Sequence, residues 1–364
     1  MVKNCKFCSN KLNKITINLP FFSHFNFQTK QNKNILFNCP NCHITHNFIS
    51  QNDLFFFKSK KYSQSSQTSH KIKIKKNIFQ TRSFLQAQTI KKILKDTDKT
   101  YDFLDYGCFD GRLLKELGAI YKKSNFYGHD VNKKVKKFFP YKKNFYFINF
   151  EKELKSKFDF VIFSHSMMYI KNINIILDKI IESLKSTGII FIQMPDISEN
   201  PFYSLMDDQF YFFDKKNLYN LSIIKKLNFK LIKNNYFKRE FIVLYSKDYN
   251  NKLHKLVKSN IYANAIKKVN NFKNKLLTNF HKLNLIGVMG STINAAFVDE
   301  ILKSKVKFFI DENCISKKKF RNKAVLHPIN NKKNDFIILP YNYKNMNILN
   351  NFKKKYKGMF NLVR

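Results

Sequence analysis

The sequence predicts an α/β protein with a parallel sheet covered by helices on both faces. A cysteine-bearing, β-rich segment precedes that sheet, and a second, smaller strand–helix alternation follows it. Three observations lead there. Strand and helix signals alternate through residues 81–247, the pattern of consecutive βαβ units. Two Cys-x-x-Cys pairs stand among short β-like runs in residues 1–50. A shorter alternation returns over residues 283–364, after a helical stretch at 248–281. The expected segments are therefore 1–70, 80–247, 248–281 and 282–364.

Each element of the central segment has its own signal. Phe84, Leu85, Ala87, Ile90, Ile93 and Leu94 recur at helical spacing, so a helix is expected from Arg82 to about Lys95. Tyr101 to Asp105 reads as a short strand stopped by Gly107, and Asp110 to Leu117 as the helix after that turn. Further parallel strands are expected around Phe126, Phe145, Phe160 and Ile190, with the best intervening helix between Asn172 and Lys185. The runs around Leu231 and Val243 are expected to pair antiparallel at the sheet edge.

Composition bounds the class. The chain has 364 residues, is 44% hydrophobic and contains 40 Phe, which excludes a disordered chain. No stretch approaches the length of apolar sequence a membrane span needs, and the first residues lack the apolar core of a secretory signal. The expected location is the cytoplasm. A formal net charge of +42 raises nucleic acid as a partner. Of the 67 basic residues, however, only Arg82, Arg112, Arg239, Arg321 and Arg364 are arginines. Base readout and phosphate clamping favour the planar Arg fork. Lys, Asn, Ile and Phe are abundant and Trp is absent, which A/T-rich codons explain. The charge is therefore assigned mainly to composition.

Cys5 and Cys8 form one pair and Cys39 and Cys42 the other, with thirty residues between the pairs. Each pair offers two thiolates from one knuckle, and two knuckles close a tetrahedron around zinc. Such a shell leaves no open position, so the expected role is structural. Two disulfides, a redox Cys-x-x-Cys or unligated thiols are the competing readings. His43 and His46 are nearby substitutes as ligands.

Only eight glycines occur, and four fall between Gly107 and Gly128. Gly107 and Gly111 sit at the first strand-to-helix turn, where small residues let a ligand approach free helix N–H groups. Asp130 ends the next strand, where an acid can accept both ribose hydroxyls. The motif is Asp-x-Gly-x-x-x-Gly, with Asp105 closing the first strand. An anion site would not want that acid, whereas the ammonium and sulfonium of S-adenosylmethionine would.

These residues resemble the class I S-adenosylmethionine-dependent methyltransferases. More narrowly, the chain is similar to the zinc-binding C-methyltransferase family that acts on nucleotide-linked deoxysugars. The cysteine pairs resemble that family's zinc module. The run from Tyr62 to His70 resembles its Tyr/Ser/His segment, Leu104 to Gly111 its cofactor motif, and Phe158 to His165 its fourth strand. Ile286 to Ser291 and Phe308 to Asn313 resemble its C-terminal Rossmann-like domain. The resemblance implies a zinc-binding β-rich module, a central seven-stranded Rossmann-like methyltransferase domain and a smaller C-terminal Rossmann-like α/β domain. It implies a small-molecule acceptor, a nucleotide sugar of deoxysugar or surface polysaccharide biosynthesis. One departure matters. Gln209 stands where C-methylating members carry a proposed basic histidine, and an amide takes no proton at neutral pH. The acceptor atom is thus left open between carbon, oxygen and nitrogen.

The implied roles follow residue by residue. Gly107 and Gly111 admit the methionine portion, Asp105 or a water bound to it receives the ammonium, and Asp130 holds the ribose. Val131 with Phe150 or Asn149 flanks the adenine, and Ser164 faces the cofactor. Tyr62, Ser65, Ser66 and His70 face the substrate, unless they form only a polar linker. His165 is the first candidate for the base, having a suitable intrinsic pKa at the end of a parallel strand. Asp208 and Tyr211 are further catalytic candidates. An RNA methyltransferase with an N-terminal zinc module is the alternative, and a degenerate binding protein the third reading.

Overall fold

The computed structural model describes residues 3–23, 27–31, 34–49, 71–75, 78–150, 157–247, 255–280, 282–283, 285–312, 318–342 and 346–363. They group into two compact units. The first comprises Met1–Lys14, Phe37–Glu199 and Gln209–Ser259, and the second Ile15–Leu36, Asn200–Asp208 and Asn260–Arg364.

Seven strands form the main sheet of the first unit. They are β1 (Asp102–Tyr106), β2 (Asn125–His129), β3 (Phe145–Phe147), β4 (Phe158–Ser164), β5 (Leu184–Pro195), β6 (Asn228–Ile232) and β7 (Glu240–Ser246). Their order is β3-β2-β1-β4-β5-β7-β6. The first five run parallel, and β7 runs antiparallel to both β5 and β6. The expected antiparallel pair is present, but the strand beginning at Glu240 lies inside the sheet and only β6 is at the edge. Chain order reverses between β1 and β4, which opens a ligand crevice outside their C-terminal ends.

Side-chain alternation covers both faces. Phe103, Phe160, Ile162 and Phe191 meet Ala87 and Ile90 of α1 (Arg82–Leu94) and Leu113, Leu114 and Leu117 of α2 (Arg112–Ile120). Leu104, Val161, Phe163, Ile190 and Ile192 meet α3 (Ile173–Ser183) and α4 (Lys215–Ile224). Each such side chain, fully buried, contributes about 1.5–3 kcal/mol. Local signals set the helix starts: Thr81 caps α1 by accepting from the Phe84 N–H, and Asp214 makes a capping box with Asn217 at α4.

The second face also takes in Cys5, Phe7, Cys39, Cys42 and Ile44. A short strand at Tyr211–Phe212 pairs with Thr45–His46. Phe7 meets Tyr211 and Phe213 edge to face, with centroids 5.2 and 6.0 Å apart. The cysteine-bearing segment therefore shares its core with the sheet.

The second unit carries α5 (Ile261–Phe280), β8 (Ile286–Met289), α6 (Ile293–Leu302), β9 (Val306–Ile310), β10 (Lys319–Phe320), β11 (Lys323–Leu326), β12 (Phe336–Asn342), α7 (Met346–Lys355) and β13 (Met359–Val363). The sheet order is β10-β11-β9-β8-β12-β13, and only β10 runs antiparallel to its neighbour. The helix expected from 248 begins, among the described residues, at Ile261. Its buried face is Tyr262, Ala265, Val269, Phe272, Leu276 and Phe280, a helical repeat of three and four. Arg321 donates to Asp299 at 2.7 Å and to Glu300 at 2.6 Å, both on α6. Among the described residues no helix is long and apolar enough to cross a membrane.

Candidate active site

The turn after β1 is stapled to β2: the N–H groups of Gly107 and Cys108 both donate to the His129 carbonyl, at 2.7 and 3.0 Å. Gly107 has φ +91°, and a Cβ there would lie 2.5 Å from Cβ of Ser166. Gly111 has φ +69°, and its Cβ would lie 2.6 Å from the Pro140 ring and 2.7 Å from the Phe139 ring. Both glycines are thus required by left-handed backbone and by close packing of the chain on itself. The space each frees is taken by a neighbouring side chain.

Two carboxyl groups face this turn. Asp130 ends β2 and is buried; its Oδ1 accepts from the Asn132 N–H at 2.8 Å and its Oδ2 from the Phe109 N–H at 3.0 Å. A carboxylate has about four acceptor positions, so about two remain for ribose hydroxyls. Burial pushes its pKa up despite these donors. Asp105 is buried on β1, and its Oδ1 has no hydrogen-bond partner. Burial first, then the charges of Asp130 and Asp110, pushes it up to about 8. An orphaned acceptor beside a second acid is an environment that a bound cation would relieve. The residues present therefore fit the ammonium end and the ribose of S-adenosylmethionine.

His165 follows β4 directly and adopts φ +56°, a conformation uncommon for a residue with a side chain. Its N–H donates to the Gln193 carbonyl at 2.9 Å. Its Nε2 lies 2.9 Å from Oε2 of Glu240, at the start of β7, and 2.7 Å from Nη2 of Arg82, at the start of α1. Nε2 thus stands between a carboxylate that calls for a proton on it and a guanidinium that calls for a lone pair on it. Arg82 donates to Glu240 through both terminal nitrogens, and Gln193 donates to Glu240 Oε2 at 2.6 Å. Gln86 donates to Gln193 Oε1 at 3.1 Å and to the Ser164 hydroxyl at 2.6 Å. Burial alone would raise the Glu240 pKa, but His165, Arg82 and Gln193 outweigh it and hold it down at about 2. Arg82, Gln86, Gln193 and Glu240 escaped the sequence reading. Arg82 alone carried a signal, as one of five arginines in a lysine-dominated chain.

The other candidates are dispersed. Tyr211 donates its hydroxyl to the Lys171 carbonyl at 2.6 Å, with its ring against Phe7 and His46. Asp208 is buried and belongs to the second unit's chain. Val131 is exposed and Asn149 half-buried beside β2 and β3, whereas the Phe150 ring is buried against Tyr106 and His129. Tyr62, Ser65, Ser66 and His70 lie outside the described residues.

The ligand atoms of Cys5, Cys8, Cys39 and Cys42 all lie within 4.8 Å of one another. The closest sulfurs come from opposite knuckles, Cys5 with Cys42 at 3.5 Å and Cys8 with Cys39 at 3.4 Å. A disulfide needs about 2.05 Å, while sulfurs on a tetrahedral zinc at about 2.3 Å stand about 3.8 Å apart. The array fits one soft divalent cation. Phe7 and Cys42 donate backbone N–H groups to Cys5 and Cys39, and Nε2 of His46 sits 3.4 Å from the Cys5 sulfur. Burial lowers His46 to about 4, so it is a neutral neighbour of the cluster.

Residues 79–234 match the family model of a methyltransferase domain. No curated protein matches the sequence. Solved structures similar to the chain include the plantazolicin methyltransferase BpumL in complex with a monoazolic desmethylPZN analog and SAH, at 13% identity and TM-score 0.38 over 45% of this chain and 83% of that one. A S-adenosylmethionine-dependent methyltransferase from Clostridium acetobutylicum is similar at 13% identity and TM-score 0.36, over 45% and 91% of the two chains. One from Aquifex aeolicus is similar at 14% and 0.36, over 44% and 97%. Taken with the strand order β3-β2-β1-β4-β5-β7-β6, the family-model match makes residues 79–234 a class I S-adenosylmethionine-dependent methyltransferase domain, and the chain a methyltransferase enzyme.

Proposed function

We propose that this methyltransferase binds S-adenosylmethionine at the tips of β1 and β2 and methylates a small molecule, a nucleotide-linked sugar of deoxysugar or surface polysaccharide biosynthesis. The observation that carries the cofactor reading is the buried, unpartnered Oδ1 of Asp105 beside Asp130. Asp105 takes the cofactor's ammonium and Asp130 its ribose, with Val131 and Asn149 along the adenine. The bound cofactor supplies an electrophilic methyl group on a sulfonium. The chain's own task is then alignment and proton removal. His165 is the proton acceptor, with Glu240 and Arg82 holding the Nε2 edge of its ring. Gln209 cannot serve, which favours a hydroxyl or amine acceptor over carbon. The sugar reading rests on the likeness of the three-part chain to the zinc-binding sugar methyltransferases. The cysteine cluster holds a structural zinc ion.

The test has two stages. Calorimetry with S-adenosylmethionine checks the cofactor site alone, and no binding at any concentration sinks it. Isotope-labelled cofactor is then incubated with a panel of nucleotide sugars and, separately, with RNA, and the products are read by mass spectrometry. Label in a sugar supports the acceptor reading; label only in RNA replaces it.

A further inference from the structure

We propose that residues 131–146 form a surface that binds a single-stranded polynucleotide without sequence preference. The segment joins β2 to β3 within the first unit. It contains six lysines, at 133, 134, 136, 137, 142 and 143, and no acid. All six are exposed, and among the described residues none forms an ion pair. Elsewhere Lys185, Lys215 and Lys225 are paired with acids. Four large apolar side chains are exposed among the lysines: Val131 at 54%, Phe138 at 54%, Tyr141 at 55% and Tyr146 at 42%. A/T-rich codons supply Lys and Phe alike, but burial would normally hide the rings; here three aromatic side chains stay exposed among the six lysines.

The surface is held in place at its middle and at its C-terminal end. The Phe139 ring fits against Gly111 and Gly128, where a Cβ would meet it at 2.7 and 2.5 Å. Tyr146 stacks on Tyr127, with centroids 5.1 Å apart and planes at 25°. β3 is the outermost strand, so its far edge is unpaired within the sheet. Rings interleaved with point charges suit stacked bases joined by phosphates. Lysine suffices for that, because backbone neutralisation needs charge and not the Arg fork. An anionic bilayer would attract the same lysines, but it gains its further affinity from a continuous apolar face, which the lysines interrupt here. Such a surface would hold a polynucleotide whichever acceptor the enzyme methylates.

The experiment is fluorescence anisotropy of the full chain with a labelled 12-mer oligouridylate across a salt series. Three variants are compared, each checked for an unchanged melting profile. Phe138→Ala/Tyr141→Ala/Tyr146→Ala should weaken binding at least tenfold with an unchanged salt slope. Lys133→Gln/Lys134→Gln/Lys136→Gln/Lys137→Gln should weaken it at least tenfold and reduce the slope by about 3. A control with Lys267, Lys318, Lys353 and Lys354 changed to Gln should lose less than threefold. Equal losses in the two lysine variants, or no loss in the aromatic one, would reduce the effect to the chain's overall charge and overturn the proposal. Binding to phosphatidylserine vesicles without binding to the oligonucleotide would overturn it in favour of a membrane surface.

Discussion

Asp105 and Asp130 stand as two buried carboxyl groups on neighbouring strands, and the charge of Asp130 helps keep Asp105 protonated up to about pH 8. A cationic ligand needs Asp105 charged, so below pH 8 a proton must leave when the ligand binds. Cofactor affinity should therefore rise with pH, by up to tenfold per unit, and level off near 8. Calorimetry in two buffers of different ionisation enthalpy should detect close to one released proton at pH 7. The same shift acts on folding. An acid whose folded pKa lies above its unfolded value costs stability as pH rises, here from about 4 through about 8. Asp105→Asn should flatten that fall and abolish the proton release; a pH-independent affinity in the parent protein would contradict the assignment.

Asp130 has a double duty, because it also accepts the N–H groups of Phe109 and Asn132. Asp130→Ala should weaken cofactor binding at least tenfold, about 1.4 kcal/mol. It should also cost about 1–3 kcal/mol of stability by leaving one buried donor, the Asn132 N–H, and one half-buried donor, the Phe109 N–H, without their acceptor. Calorimetry reads the first effect and chemical denaturation the second. Unchanged affinity in a folded variant would remove Asp130 from the site.

Much of this was legible in the sequence. Parallel strands announced themselves by short apolar runs punctuated by glycine, and Asp105, Asp130 and the four cysteines by their spacing to those landmarks. Phe150 was legible as a strand-end aromatic, but only packing against Tyr106 and His129 decides that its ring belongs to the core. The polar network around His165 was hidden for a different reason. It joins α1, β4, β5 and β7, with Arg82 and Glu240 separated by 158 positions, and no local pattern reports such a contact. Arginine scarcity was the usable clue. In a chain that uses lysine almost everywhere, Arg82 and Arg321 both sit in ion pairs whose forked geometry lysine cannot reproduce.

That network predicts an acid limb in stability. The Glu240 pKa is depressed to about 2, below the ordinary carboxylate value near 4.5. Its contribution is fully present above about pH 4.5 and is lost as pH falls from there toward 2. Glu240→Gln should remove that limb. It should also destabilise the protein by about 3 kcal/mol at neutral pH, because Arg82 is left charged and largely buried. Methyl transfer should fall through misorientation of His165 while cofactor affinity holds. A variant with normal turnover and an unchanged acid limb would leave Glu240 without a positioning role.

The cysteine cluster predicts how the protein responds to metal loss. Cys5, Cys39 and Cys42 lie in the same hydrophobic core as Phe163, Met168 and Phe213, and Tyr211 links Phe7 to the Lys171 carbonyl beyond β4. Stripping the ion should expose thiols inside that shared core. The methyltransferase sheet should then lose stability with the cluster, in one transition, and not after a separate early melt of the N-terminal segment. Elemental analysis should find about one zinc per chain, released by a chelator together with protons taken up by the sulfurs. Cys39→Ser should reproduce the destabilisation and lower cofactor affinity secondarily. A metal-free protein with the parent melting curve would mean that the four sulfurs are merely buried thiols.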